Sequence, residues 1–350
     1  MKAIYKKYTL NFKVPSGTSR GILTQKETWF LILKENGRIG IGECGLLKGL
    51  SVDDVPEYEQ KLDWVCKNIH LGKEQLLDDL MAFPSIQFGL EQAFLSLARQ
   101  DFFELFPSDF TKREAPIPIN GLIWMGDEGF MLSQLQKKLD EGFRCIKMKI
   151  GAIDFEKELS ILKSIRNNFG PHEIELRVDA NGAFSPEEAM HKLEILAEFQ
   201  LHSIEQPIKP KQWEVMAQLC ANSPLPIALD EELIGIFSIT EKEKLLHTIK
   251  PQFIILKPSL VGGFAGSEQW ITIAENYNIG WWVTSALESN IGLNAIAQWT
   301  YSLNTSMPQG LGTGSLYTNN IDSPLEVSKG NIYYRQHKSW NQKEIEKICL

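Results

Sequence analysis

Glu175-Leu-Arg-Val-Asp179-Ala-Asn-Gly reads as a short β-strand that ends on a carboxylate and breaks at a glycine. The pattern returns at Ser203-Ile-Glu205-Gln-Pro and again at Ile227-Ala-Leu-Asp230-Glu-Glu. The acids lie 26 and 25 residues apart, about the length of one strand-plus-helix unit. Further short β-rich runs continue the period on both sides: 119–124, 145–150, 253–257, 280–285 and 309–313. Helical stretches such as 155–167, 186–199 and 267–277 separate most of them. Eight such units in so short a span predict an α/β fold with a barrel of the TIM type. An open doubly wound sheet is the competing reading of periodicity alone.

The chain before the barrel has another grammar. Residues 3–14, 28–33 and 38–43 read as strands, with Glu35-Asn36-Gly37 as a hairpin turn. From Val55 to about Phe106 apolar residues recur at helical spacing, as in Tyr58, Leu62, Val65 and Ile69. The division expected is an α+β capping domain over 1–112, the barrel with its active site over 113–320, and a C-terminal segment, 321–350, packed back on the cap.

A barrel gathers residues from the C-terminal ends of its strands at one mouth. Asp179, Glu205 and Asp230 are therefore expected side by side. A single strand-end acid caps a helix as readily as it binds a metal. Three in register, without His or Cys nearby, form an oxygen site for Mg²⁺, with Mn²⁺ as an alternative. Asn181 and Glu231 lie just beyond two of these acids and are expected to orient them, unless they are solvent-facing loop residues.

The preceding strand, Cys145-Ile-Lys147-Met-Lys149-Ile, alternates lysine with apolar residues. The apolar set suits the surrounding helices, so both ammonium groups are expected inside, where they require anions. Strand six ends on Lys257, and in a ring of eight it stands opposite strand two. Amines approaching a metal site from facing walls suit proton abstraction next to a carboxylate. The alternative for Lys257 is a structural ion pair.

The order Lys-x-Lys, Asp, Glu, Asp, Lys resembles the muconate-lactonising-enzyme branch of the enolase superfamily over essentially the whole chain. The resemblance implies Lys149 as general base, Lys147 as its electrostatic partner and Lys257 as the opposing group. It also implies Asp179, Glu205 and Asp230 as metal ligands, and a (β/α)7β barrel under an α+β capping domain. Within that branch Pro116–Trp124, Thr284–Asn294 and Gln309–Tyr317 resemble the o-succinylbenzoate synthases. These would dehydrate a cyclohexadiene carboxylate bearing a succinyl arm, in menaquinone biosynthesis. Dipeptide epimerases carry an Asp-x-Asp where Gly312-Thr-Gly314 stands here, which disfavours a dipeptide substrate. An N-acylamino-acid racemase, another enzyme of the branch such as a cycloisomerase, and a non-catalytic carboxylate-binding barrel are the rival readings. For the substrate, Arg20 in a capping loop, Ser259, Gly262, Gly263, Ser285, Gly312 and Gly314 are the expected contacts. An arginine in such a loop can also be merely solvated.

The bulk properties agree. The 350 residues carry a net charge of −8, with 43% apolar and 23% charged residues, which fits a globular enzyme and argues against a nucleic-acid partner. No run of about 20 apolar residues suggests a membrane span. Five scattered cysteines without C-x-x-C spacing suit reduced thiols, so a cytoplasmic location is expected. A small carboxylate is the expected binding partner; oligomeric state leaves no trace in the sequence.

Overall fold

The computed structural model describes residues 1–18 and 21–350, and for 16–18 the backbone alone. Its first part is an antiparallel sheet of β1 (Lys2–Thr18), β2 (Gly21–Glu35) and β3 (Arg38–Cys44), in that order. Asn36 and Gly37, both at positive φ, make the tight turn between β2 and β3. Strict alternation along β2 gives the sheet two apolar faces. Trp29, Leu31 and Leu33 pack under the helices Tyr58–Lys67 and Pro84–Ala98, while Phe30 and Ile32 face the rest of the chain. The helix Pro84–Ala98 lies in backbone contact with β3, because a Cβ on Gly40 or Gly42 would run into the carbonyl oxygens of Ala93 and Gly89.

After β4 (Ile117–Pro118) come seven parallel strands: β5 (Gly121–Ile123), β6 (Cys145–Lys149), β7 (Glu175–Asp179), β8 (Ser203–Glu205), β9 (Ile227–Leu229), β10 (Phe253–Leu256) and β11 (Gly280–Val283). Each pairs with its sequence neighbours. The ring closes through two residues. Gln309 bridges Ile119 on one edge and Gly310 bridges Thr284 on the other, with Gln309 N–H donating to Pro118 O and Gly310 N–H to Val283 O. The eighth strand, expected over 309–313, is thus cut to a pair of bridging residues, and the chain turns away after Leu311. Gly310 is required there, since a Cβ would meet the Thr284 side chain. The fold is a (β/α)7β barrel with an antiparallel-sheet cap.

Good caps fix several barrel helices where the sequence starts them. Ser185 and Ser238 each form a reciprocal capping box with the glutamate three residues on, Glu188 and Glu241. The tail first forms a hairpin, β12 (Leu325–Ser328) and β13 (Asn331–Tyr334), whose second strand pairs with β4. Its last helix, Gln342–Cys349, then reaches the cap, where Ile345 and Ile348 join Phe30, Ile32 and Ile41. Among the described residues no helix is long and apolar enough to cross a membrane.

Candidate active site

On β6 the outward residues Ile146 and Met148 join the apolar layer with Ile161, Leu162 and Ile165 of the next helix. Lys147 and Lys149 consequently point inward. Lys149, Asp179 and Glu205 are register partners on three adjacent strands, and Asp230 follows β9 directly. Lys147 Nζ stands 2.6 Å from Glu205 Oε2 and 3.1 Å from Asp179 Oδ2. Lys149 Nζ lies 2.8 Å from the same Asp179 oxygen. Lys257, at the end of β10, pairs with Asp230 Oδ2 from the neighbouring strand, across the ring from Lys149. Three amines and three acids expected at one mouth therefore meet there.

Burial alone would raise the Asp179 carboxyl, but Lys147 and Lys149 hold it well below the usual carboxylate range. Burial likewise opposes the charge on Lys147 and Lys257. Asp179 and Glu205 beside Lys147, and Asp230 and Glu205 beside Lys257, outweigh it and keep both ammonium groups protonated above their ordinary range. Glu205 goes the other way. Burial, reinforced by the charges of Asp179 and Asp230, pushes it up to about 8.

Among the described residues, no three His, Cys, Asp or Glu side chains stand ready-made around one metal position, because ammonium groups lie among the acids. The donor set nonetheless fits a hard cation. Among the described residues Glu205 Oε1 is buried without a hydrogen-bond partner, and burial together with the charges of Asp179 and Asp230 outweighs the nearby ammonium of Lys147, so this oxygen is left for a cation to satisfy. All the candidate ligands are oxygens, the set that Mg²⁺ prefers over softer metals.

Asn181, held at φ 44, accepts from Lys149 Nζ at 2.6 Å and donates to Glu231 Oε1 at 2.9 Å. It therefore orients the lysine as well as its own strand's acid. Gln206 escaped the sequence reading. Fully buried, it accepts from the amides of Asp230 and Glu232 at 3.2 Å and donates to Glu232 Oε2 at 3.1 Å, tying one acid-bearing strand end to the next. The only local signal was a polar residue placed between a strand-end acid and a proline.

The expected substrate contacts divide. Arg20 lies outside the described residues. Ser285 shares a 2.6 Å hydrogen bond with Thr313, joining the ends of the last two barrel positions. Ser259 is fully buried and donates to Glu288 Oε1 at 2.6 Å, so its hydroxyl proton braces the wall beside Lys257. The two amides that follow Gly263 are also engaged. Glu91, from the cap helix Pro84–Ala98, accepts from Phe264 N–H at 2.5 Å and from Ala265 N–H at 3.1 Å. A Cβ on Gly263 would strike Glu91, so the glycine admits the cap and does not offer those donors to a substrate. Gly314 packs against Asn290 and Leu293, and Gly312 against Ile119.

Below the site the barrel is plugged by Ala228, Ile255 and Trp282, with the Arg177 guanidinium 4.3 Å from the Trp282 ring and paired to Glu175 at 2.7 Å.

The family model described as enolase C-terminal domain-like matches residues 131–337, and that described as the MenC N-terminal domain matches 2–97. An o-succinylbenzoate synthase of Desulfotalea psychrophila is 48% identical over 94% of this chain and 98% of its own length. The crystal structure of MenC from the same organism superposes with a TM-score of 0.85 at 45% identity, covering 95% of this chain and 99% of that one. A muconate lactonizing enzyme of Pseudomonas fluorescens shares the fold, with a TM-score of 0.83 at 21% identity over 99% and 98% of the two chains. With a capped barrel, lysines and acids gathered at its mouth, and both halves matched, the chain belongs to the o-succinylbenzoate synthase family of the enolase superfamily.

Proposed function

We propose that the chain catalyses the syn-dehydration of 2-succinyl-6-hydroxy-2,4-cyclohexadiene-1-carboxylate to o-succinylbenzoate, with Mg²⁺ held by Asp179, Glu205 and Asp230. The observation that carries this reading is the placement of Lys149 and Lys257 on opposite positions of one barrel mouth, both turned toward the acids between them. A divalent cation held there would supply charge that acidifies the C–H beside a substrate carboxylate and would offset the anionic field around Lys147 and Lys257.

Lys149 Nζ, steered by Asn181, removes the proton adjacent to the ring carboxylate. The resulting ammonium then returns a proton to the hydroxyl group leaving from the same face, so the lysine ends as it began and water departs. Loss of C–H and C–O bonds leaves an aromatic ring, which drives the reaction forward. Lys257, on the other wall, stabilises the negative charge that passes through the ring and its carboxylate. Lys147 fixes Glu205 and Asp179 between the two amines.

A cytoplasmic location belongs to the same reading, supported by five cysteines that are all free. The deciding experiment is an absorbance assay of the purified chain with Mg²⁺ and the cyclohexadiene substrate. Conversion to the aromatic product is expected; no conversion, with folded protein and metal present, removes the proposal. The facing lysines also suit a 1,1-proton transfer, so N-succinyl amino acids in deuterated water test for a second, racemising activity.

A further inference from the structure

The cap contains a buried cation that neither the fold nor the dehydration uses. Lys26 sits on β2 opposite Leu10 of β1, and its side chain is only 4% exposed. Among the described residues its Nζ has no hydrogen-bond partner. A charged amine in that state keeps three unused donors and bears the full penalty of burial.

Two acids lie within electrostatic reach, Glu43 and Glu288, yet neither bonds to it. Their oxygens are already engaged. Glu43 accepts from Thr28 Oγ1, Ser289 N–H and Oγ–H, and Gly292 N–H. Glu288 accepts from Ser259 Oγ–H and Ala286 N–H. The acids temper the charge on Lys26 and leave its donors free for something else.

Lys26 lines a cavity of about 690 Å³ between the cap strands and the segment from Leu46 to Gln60. Leu23 and Leu47, which line the same cavity, pack with Trp124, Leu287 and Tyr317, residues that follow barrel strands at their C-terminal ends. That shared apolar cluster joins the cavity wall to the segments leaving the barrel strands. Glu288 connects the two places, since its Oε1 holds Ser259, two residues beyond Lys257.

We infer that Lys26 receives the second carboxylate of the substrate, the one at the end of its acyl arm, while the ring carboxylate lies among the barrel acids. The inference rests on the synthase reading and deepens it. A dicarboxylate spanning the cap and the barrel would satisfy the unpaired ammonium and tie closure of the cap to the correct arm.

Calorimetry on the full chain with Mg²⁺ tests this with two probes: o-succinylbenzoate, and 2-butyrylbenzoate, in which a methyl group replaces the distal carboxylate. Wild-type protein is expected to bind the first about 10- to 100-fold more tightly, the range of a charge-assisted hydrogen bond. Lys26→Met should erase that preference and leave 2-butyrylbenzoate within about threefold of wild type, and Lys26→Arg should restore part of it. Thermal melting checks that each variant folds; Lys26→Gln, which keeps a donor without the charge, replaces a methionine variant that does not. If Lys26→Met retains the preference, or weakens both probes equally, Lys26 is only a counter-charge for Glu43 and Glu288, and the inference falls while the synthase reading stands. Wild-type protein that binds neither probe and leaves the diene unconverted overturns both.

Discussion

Asn181 Oδ1 accepts a 2.6 Å hydrogen bond from Lys149 Nζ. The same amide donates to Glu231, so a lysine on β6 is tied through one neutral side chain to an acid beyond β9. This couples the direction of the amine to the acidic side of the mouth. Asn181→Gly tests the coupling cleanly, because glycine keeps the left-handed backbone that another side chain would strain. We expect kcat to fall about 10- to 100-fold with KM nearly unchanged. Steady-state kinetics with wild-type kcat would show that Lys149 needs no such guide.

The two walls should be separable. Lys149→Met and Lys257→Met are each expected to slow dehydration by about 10²- to 10⁴-fold, since each removes an amine from the reacting face it serves. In deuterated water, exchange of the α-proton of N-succinyl amino acids should divide by enantiomer, one lost with each lysine. Proton NMR of the two enantiomers reads this directly. Loss of both exchanges in either variant would mean a shared role.

Metal should act on stability as well as on turnover. At about 100 times its Kd, Mg²⁺ is expected to add about 2.7 kcal/mol to the wild-type fold and raise its melting midpoint by a few degrees. Glu205→Gln should abolish this increment. Without metal the same variant should melt no lower than wild type, because a neutral amide relieves a carboxylate crowded by Asp179 and Asp230. Calorimetric melting with and without chelator checks both halves. An unchanged Mg²⁺ increment in Glu205→Gln would remove Glu205 from the ligand set.

Glu91 makes the joint between cap and barrel sensitive to pH. Burial pushes its carboxyl from 4.5 up to about 7, against the two amides that favour the anion. The folded chain therefore binds this proton more tightly than the unfolded chain does. The stabilisation is fully present below about 4.5 and is lost as pH rises through about 7. Across that window the difference in unfolding free energy between wild type and Glu91→Gln should shrink by at most about 3 kcal/mol. Denaturant titrations at pH 5 and pH 8 measure it, and a pH-independent difference would show that Glu91 is ionised throughout.

Much of the site could be read from the chain because its determinants are local. The alternation at 145–149 turns Lys147 and Lys149 to one side of a strand, and the repeat length brings Asp179 and Glu205 into register. Neither depends on what packs around them. The hairpin at Asn36-Gly37 and the capped starts of the barrel helices are legible for the same reason.

Contacts between distant segments were decided by packing. Glu91 takes the amides of Phe264 and Ala265, so the chain just after Gly263 is joined to the cap helix, a contact that no local pattern announces. The close fit of Gly310 against Thr284 and the turn after Leu311 shorten the eighth strand, which periodicity alone extends to 313. Lys26 lies outside the strands that periodicity marks and carries no local signal; the tertiary fold buries it near Glu43 and Glu288 without a hydrogen-bond partner among the described residues. A backbone's period is fixed by its own covalent geometry, whereas the partner of a buried charge is fixed by whichever surface folds over it.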